Sequence, residues 1–264
     1  MRRPLDQELV RRGLASDRNA AREVIASGRV RVAGRPALKE STLVRPEDAL
    51  ALGPDERRFV SRGGQKLAAA LERFEIDPAG RRCLDAGAST GGFTDSLLQA
   101  GAAHIVAVDV GYGQLDWRLR NDPRVTVLER TNIRELRAEN LPYPPELITA
   151  DLSFISLASV LPALEELSAA EADFVLLVKP QFEAPSEAVE AGGVVRDPAI
   201  RGEAIDAVAR AGEALGLQPL AVMASPLLGP AGNAEFLLHA RRGGGSGVLD
   251  VAAAVAAAGE EAQR

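Results

Sequence analysis

The 264-residue chain has one cysteine, two histidines, one tryptophan and three lysines. The lone Cys83 excludes a disulfide framework and a cysteine-based metal cluster, and only His104 and His239 remain as imidazole ligands. No metal is expected, and a reducing, cytoplasmic setting fits best. No stretch approaches the ~20 apolar residues of a membrane helix. The opening Met-Arg-Arg-Pro-Leu-Asp has no apolar signal core, so membrane insertion and secretion are not expected. With 46% hydrophobic and 26% charged residues, the chain is neither disordered nor low-complexity.

What is abundant is arginine, which supplies 28 of the 31 basic residues; Lys39, Lys66 and Lys179 are the three lysines. The net charge of -6 is uneven: residues 1–45 carry +6 and the remainder -12. A basic module on an acidic chain points to a polyanion, because phosphate contacts need local positive potential. Leu5, Leu9 and Val10 predict a first helix behind Pro4, and Ser16 or Asp17 caps a second through Ile25. Arg29 to Val32 then alternates as a strand, with Ala33-Gly34 turning into a second one. Arg18 and Arg22 fall one helical turn apart, and Arg29 and Arg31 on one strand face, with Arg35 beyond the turn. A solvated charged face is the plainer alternative.

From Arg81 onward, strands and helices alternate. Strands are expected at 83–86, 105–110, 125–128, 147–150, 174–178, 220–223 and 236–240, with helices at 157–167 and 200–215. This is the pattern of a doubly wound, mainly parallel α/β sheet, whose last two strands, joined without a helix, run antiparallel. Residues 1–53 form the basic module, 54–62 a linker and 63–242 the α/β domain. Residues 243–264 read as a flexible glycine spacer and a loosely attached alanine-rich tail.

Cys83-Leu84-Asp85-Ala86-Gly87-Ala88-Ser89-Thr90-Gly91-Gly92-Phe93 reads as strand, glycine turn and helix start. A dinucleotide fingerprint would need glycine at 89, where serine stands. S-adenosylmethionine carries an ammonium in place of a pyrophosphate, and Asp85 is placed to receive it. Asp109, 24 residues after Asp85, is placed to accept the ribose hydroxyls. The cofactor set is therefore Asp85, Gly87, Ser89, Thr90, Gly91, Phe93, Asp109 and Val110. A purely structural glycine turn is the alternative, and Cys83 belongs in the core.

Asp151 and Lys179 follow two strands of the parallel sheet, and Glu235 opens the final antiparallel strand, so all three belong on one edge. Lys66, at the start of an amphipathic helix with Leu67, Leu71 and Phe74, is a possible fourth member. Such a set suits deprotonation of a sugar hydroxyl, provided a lysine is desolvated beside a second ammonium. Each residue also has an ordinary structural role available, as cap, sheet-edge charge or surface charge. No Pro-Pro-aromatic clamp follows Asp151, and Cys83 cannot serve as a C5-methylating nucleophile.

Two resemblances extend this reading. Residues 1 to about 50 resemble the S4 RNA-binding domain, except that Ala33 stands where asparagine is common. Ser61-Arg62-Gly63-Gly64-Gln65-Lys66-Leu67, the 85–94 turn, Ala150-Asp151-Leu152-Ser153-Phe154, Val178-Lys179-Pro180-Gln181-Phe182-Glu183 and Asn233-Ala234-Glu235-Phe236 closely resemble the TlyA family. That resemblance spans residues 4 to about 242. It implies a Rossmann-like class I methyltransferase sheet joined to a small α+β S4-like domain. It also implies S-adenosylmethionine-dependent 2'-O-methylation of ribosomal RNA, typically at cytidine, with ribosomal RNA or subunits as partner and no membrane. Lys66, Asp151, Lys179 and Glu235 are the implied catalytic set. Family members are also called hemolysins, so a membrane-lysing protein is one alternative; a non-catalytic RNA-binding factor is another.

Overall fold

The computed structural model describes residues 2–26, 28–37, 39–53, 58–245 and 247–261. The chain forms two compact units, Met1–Arg57 and Arg58–Arg264. Residues 54–57 of the expected linker lie outside the described residues, and 58–62 belong to the second unit.

The first unit contains β1 (Arg3–Pro4), α1 (Leu5–Arg11), α2 (Arg18–Ala26), β2 (Val30–Val32), β3 (Arg35–Pro36), β4 (Leu43–Val44) and β5 (Leu50–Leu52). Asp17 Oδ1 accepts the Asn19 and Ala20 N–H groups at the start of α2, the satisfaction of orphan donors expected of an aspartate before a helix. Strand β2 pairs antiparallel with both β3 and β5, and β1 with β4. In the two-residue turn between β2 and β3, Ala33 sits at φ +49, the left-handed conformation that asparagine tolerates better. Leu5, Leu9, Ala21, Ile25, Val30, Ala37 and Val44 form the core.

The second unit begins with α3 (Gly63–Arg73), β6 (Arg82–Ala86), α4 (Gly92–Gln99), β7 (His104–Val108), α5 (Trp117–Arg120), β8 (Val125–Leu128) and β9 (Leu147–Ala150). It continues with α6 (Leu161–Leu167), β10 (Asp173–Val178), α7 (Pro180–Glu183), α8 (Pro198–Glu213), β11 (Leu217–Ala224), β12 (Phe236–Arg242) and α9 (Val251–Glu261). The sheet order is β11-β12-β10-β9-β6-β7-β8. Strands β6 to β10 are parallel, and β12 runs antiparallel to β10 and β11. Alternate strand residues enter two cores: Cys83, Ile105, Leu147, Val175 and Leu177 pack with residues of α3, α4 and α5, whereas Leu84, Val106, Ile148, Phe174 and Leu176 pack with residues of α6, α8 and α9. Burial on both faces is why these strands read as continuous apolar runs.

Two features differ from the sequence expectation. The last two strands are longer than expected; β11 includes Pro219, with a register shift at Leu220, which its edge position tolerates. The tail is not loosely attached, because Ala254 and Ala258 of α9 are buried in the core. Alanine lets that helix approach closely, and Gly243, Gly245 and Gly247 before it are close-packed: a Cβ at Gly247 would lie 2.3 Å from the Leu220 carbonyl oxygen.

Candidate active site

The chain runs outward from β6 through β7 to β8, then returns to place β9 on the other side of β6. This makes the β6/β9 boundary a topological switch point, where ligands bind beyond the carboxyl ends of the strands. The glycine turn leaves β6 here. Gly87 has φ +86, and a Cβ on it would lie 2.4 Å from the Asp151 carbonyl oxygen, so the turn passes β9 with no room for a side chain. Gly92 likewise lets α4 approach α3; its Cβ would lie 2.8 Å from the Gly64 nitrogen.

Asp109, just past β7, holds this turn from the other side. Its Oδ2 accepts the Ser89 N–H at 2.8 Å and its Oδ1 the Gly111 N–H at 2.6 Å. An ionised carboxylate offers about four acceptor positions, so about two remain for ligand hydroxyls. Ser89 has φ +48, so the residue that breaks the dinucleotide fingerprint still adopts a glycine-like conformation. Thr90 accepts the Asp116 N–H through its carbonyl, and Val110 is exposed.

The four reactive candidates lie on the same edge. Asp151 stands just beyond β9 and Lys179 just beyond β10, while Glu235 immediately precedes β12. Val178 pairs with Phe236, so Lys179 and Glu235 occupy the next rung of that ladder. Lys179 Nζ lies 2.6 Å from Asp151 Oδ1 and donates to Ser153 Oγ at 3.1 Å. Lys66, from the first turn of α3, forms an ion pair with Glu235. Both side chains of that pair are buried, at 7% and 2% exposure, so each is the other's compensating partner in the interior.

Other expected residues take different places. Asp85 is not open to a ligand: it is fully buried, its Oδ2 accepting from Thr94 Oγ1 at 2.6 Å and its Oδ1 from Thr149 Oγ1 at 3.2 Å. Burial pushes its carboxyl up to about 7, against the opposing hydrogen bond from Thr94. Asp85 therefore braces the turn from beneath, with both carboxylate oxygens engaged by threonine hydroxyls. Phe93 is likewise core, not lining, and Cys83 is buried with its thiol pushed up to about 12 by desolvation.

In the first unit Arg18 bonds Asp6 at 2.7 Å and Arg22 bonds Glu40 at 2.7 Å, so both are engaged within the fold. Arg29 reaches the Gly53 carbonyl, whereas Arg31 and Arg35 are exposed on β2 and β3.

Sequence reasoning missed Phe154 as a candidate. Its ring is 91% exposed, stands 5.3 Å from that of Phe182, and hangs on a backbone with φ +63. That conformation is an outlier for a bulky residue and costs about 1–3 kcal/mol. Its place directly after Asp151-Leu152-Ser153 was the available signal.

A doubly wound sheet with this glycine turn, this second-strand carboxylate and paired lysines on one edge defines the class of α/β methyltransferases. The FtsJ-like methyltransferase family profile matches residues 59–242, and the S4 domain profile residues 3–50. A Mycobacterium tuberculosis protein, the 16S/23S rRNA (cytidine-2'-O)-methyltransferase TlyA, is 58% identical over 90% of this chain and 89% of its own. Hemolysin A of Brachyspira hyodysenteriae is 36% identical over 89% of this chain and 98% of its own. The solved structure of a candidate hemolysin from Streptococcus thermophilus superposes with a TM-score of 0.79 at 35% identity, covering 99% of this chain and 97% of that one. The chain belongs to the TlyA family of FtsJ-like methyltransferases.

Proposed function

We propose that this protein methylates the 2'-hydroxyl of a cytidine ribose in ribosomal RNA, with S-adenosylmethionine as donor. The observation that carries the reading is the Lys179–Asp151 pair at 2.6 Å, standing at the switch point beside the Gly87 turn. The site suits the cofactor: the turn leaves no space beside Asp151, and Asp109 keeps acceptor capacity for two ribose hydroxyls. When bound, S-adenosylmethionine would supply an electrophilic sulfonium methyl with a neutral thioether as its leaving group.

Lys179 Nζ, at the carboxyl end of β10, is the group placed to take the proton of the target ribose hydroxyl. Asp151 and Ser153 hold the amine in place. Lys66 and Glu235, ion-paired at the same edge, fix each other's position. The exposed Phe154 ring offers the target base a stacking face. Arg31 and Arg35 of the first unit supply phosphate contacts.

The test is transfer of labelled methyl to ribosomal subunits, followed by mapping of the modified nucleotide. Ribose methylation at a cytidine is expected. Label on a base amine, or no transfer, overturns the reading. Among the described residues no helix is long and apolar enough to cross a membrane.

A further inference from the structure

Asp151 and Lys179 sit on two separate loops, and those loops are joined a second time, away from both side chains. Glu183 closes α7, the short helix that opens directly after Lys179. Its Oε2 accepts from Ser156 Oγ at 2.6 Å, and its Oε1 accepts the Leu157 N–H at 2.8 Å. Ser156 in turn accepts the Ala158 N–H, so the carboxylate stands at the start of the 3₁₀ turn Leu157–Ser159. The Leu157 side chain is buried in the core, which anchors the far end of the link.

Burial raises the Glu183 carboxyl above the usual carboxylate range, against the hydrogen bonds from Ser156 and Leu157. Among the described residues no cation pairs with it, and a partly buried carboxylate without a counter-charge costs stability. What it contributes is geometry. The segment between Asp151 and Ser156 has no helix or strand and contains Phe154 in a left-handed conformation. Strain of that kind persists only where the surroundings over-determine it.

We propose that Glu183 is a positioning residue for methyl transfer, clamping the 151–157 loop to α7 so that Asp151 and Ser153 meet the Lys179 amine. The proposal rests on the roles assigned above to Asp151 and Lys179. Misplacing a reacting group by about 1 Å costs about 10²-fold in rate, so the loss should fall on the chemical step and leave binding alone.

The test compares full-length wild type, Glu183→Ala, Glu183→Gln and Ser156→Ala. Single-turnover methylation should fall about 10- to 100-fold in Glu183→Ala. Cofactor and RNA dissociation constants should stay within about twofold, and Ser156→Ala, which keeps the Leu157 link, should lie between. Glu183→Gln keeps an acceptor for Leu157 and should recover to within about threefold of wild type. Hydrogen exchange of the 152–158 amides, measured without RNA or cofactor, should rise in Glu183→Ala and not in Glu183→Gln. Wild-type turnover and exchange in Glu183→Ala overturn the proposal, as does a rate loss explained wholly by weaker binding. If Glu183→Ala does not fold, Ser156→Ala and Glu183→Gln decide, and wild-type behaviour of Ser156→Ala in both measurements overturns it. If wild type transfers no methyl to ribose, the functional reading fails, while the exchange measurement still decides whether Glu183 holds the loop.

Discussion

Lys66 and Glu235, 169 residues apart in the chain, form a buried ion pair that ties the first turn of α3 to the residue before β12. Neither charge has open access to water, so removing one leaves the other without compensation. Glu235→Leu should destabilise the protein by about 3–5 kcal/mol, and its combination with Lys66→Met by less than the sum of the two single changes. Denaturant unfolding of the four-member cycle checks this; additive losses would show that the pair is not coupled.

Lys179→Arg separates charge from proton transfer. Arginine keeps the positive charge beside Asp151 but does not deprotonate in proteins. Methylation should lose most of the ~10²- to 10⁴-fold factor of general-base catalysis while cofactor and RNA affinities persist. Lys66→Arg should be milder. Near wild-type single-turnover rates for Lys179→Arg would remove the general-base assignment.

Asp109→Ala should weaken S-adenosylmethionine binding by about 1–3 kcal/mol, the scale of removing charge-assisted hydrogen bonds. It also strips the Ser89 and Gly111 N–H groups of their acceptor, so the turn itself loosens. Calorimetry with cofactor reads the first effect, and RNA affinity should barely move. Unchanged cofactor affinity would place the ribose elsewhere.

Arg31 and Arg35 should behave differently from Arg12. Arg12 is an internal tie, bonded to Glu8 and to the carbonyls of Arg45, Pro46 and Asp48. Its replacement by alanine should lower stability. Replacing Arg31 and Arg35 by glutamine should leave stability alone, weaken RNA binding at every sequence tested, and reduce the salt slope by about one for each phosphate no longer neutralised. An unchanged slope removes these two arginines from the interface.

The first unit should lose stability in acid. Hydrogen bonds from Arg11 and Arg12 hold the Glu8 carboxyl down at about 2, from an ordinary 4.5. Its folded value is depressed, so its contribution is complete above about pH 4.5 and fades as pH falls toward 2. Unfolding midpoints between pH 2 and 6 should flatten in Glu8→Gln relative to wild type.

Much of this protein was legible in its sequence because the relevant signals are local. Alternating apolar runs and helical periodicities follow from backbone geometry, so the parallel sheet, the antiparallel last strand and the helix, helix, hairpin module could be read directly. The positions of Gly87, Asp109, Asp151, Lys179 and Glu235 at strand ends followed from topology, because parallel strands deliver their carboxyl ends to one edge. What topology does not specify is which side chain faces which. That Asp85 turns inward to Thr94 and Thr149, that Phe93 is core, and that Arg18 and Arg22 bind Asp6 and Glu40 are outcomes of packing in three dimensions. The same holds for the pairing of Lys66 with Glu235 and Lys179 with Asp151, for the closeness of the tail to Leu220, and for the bonds from Ser156 and Leu157 to Glu183. In each case burial demands a partner for a polar group or a fit for an apolar one, and only the folded chain brings those partners within reach.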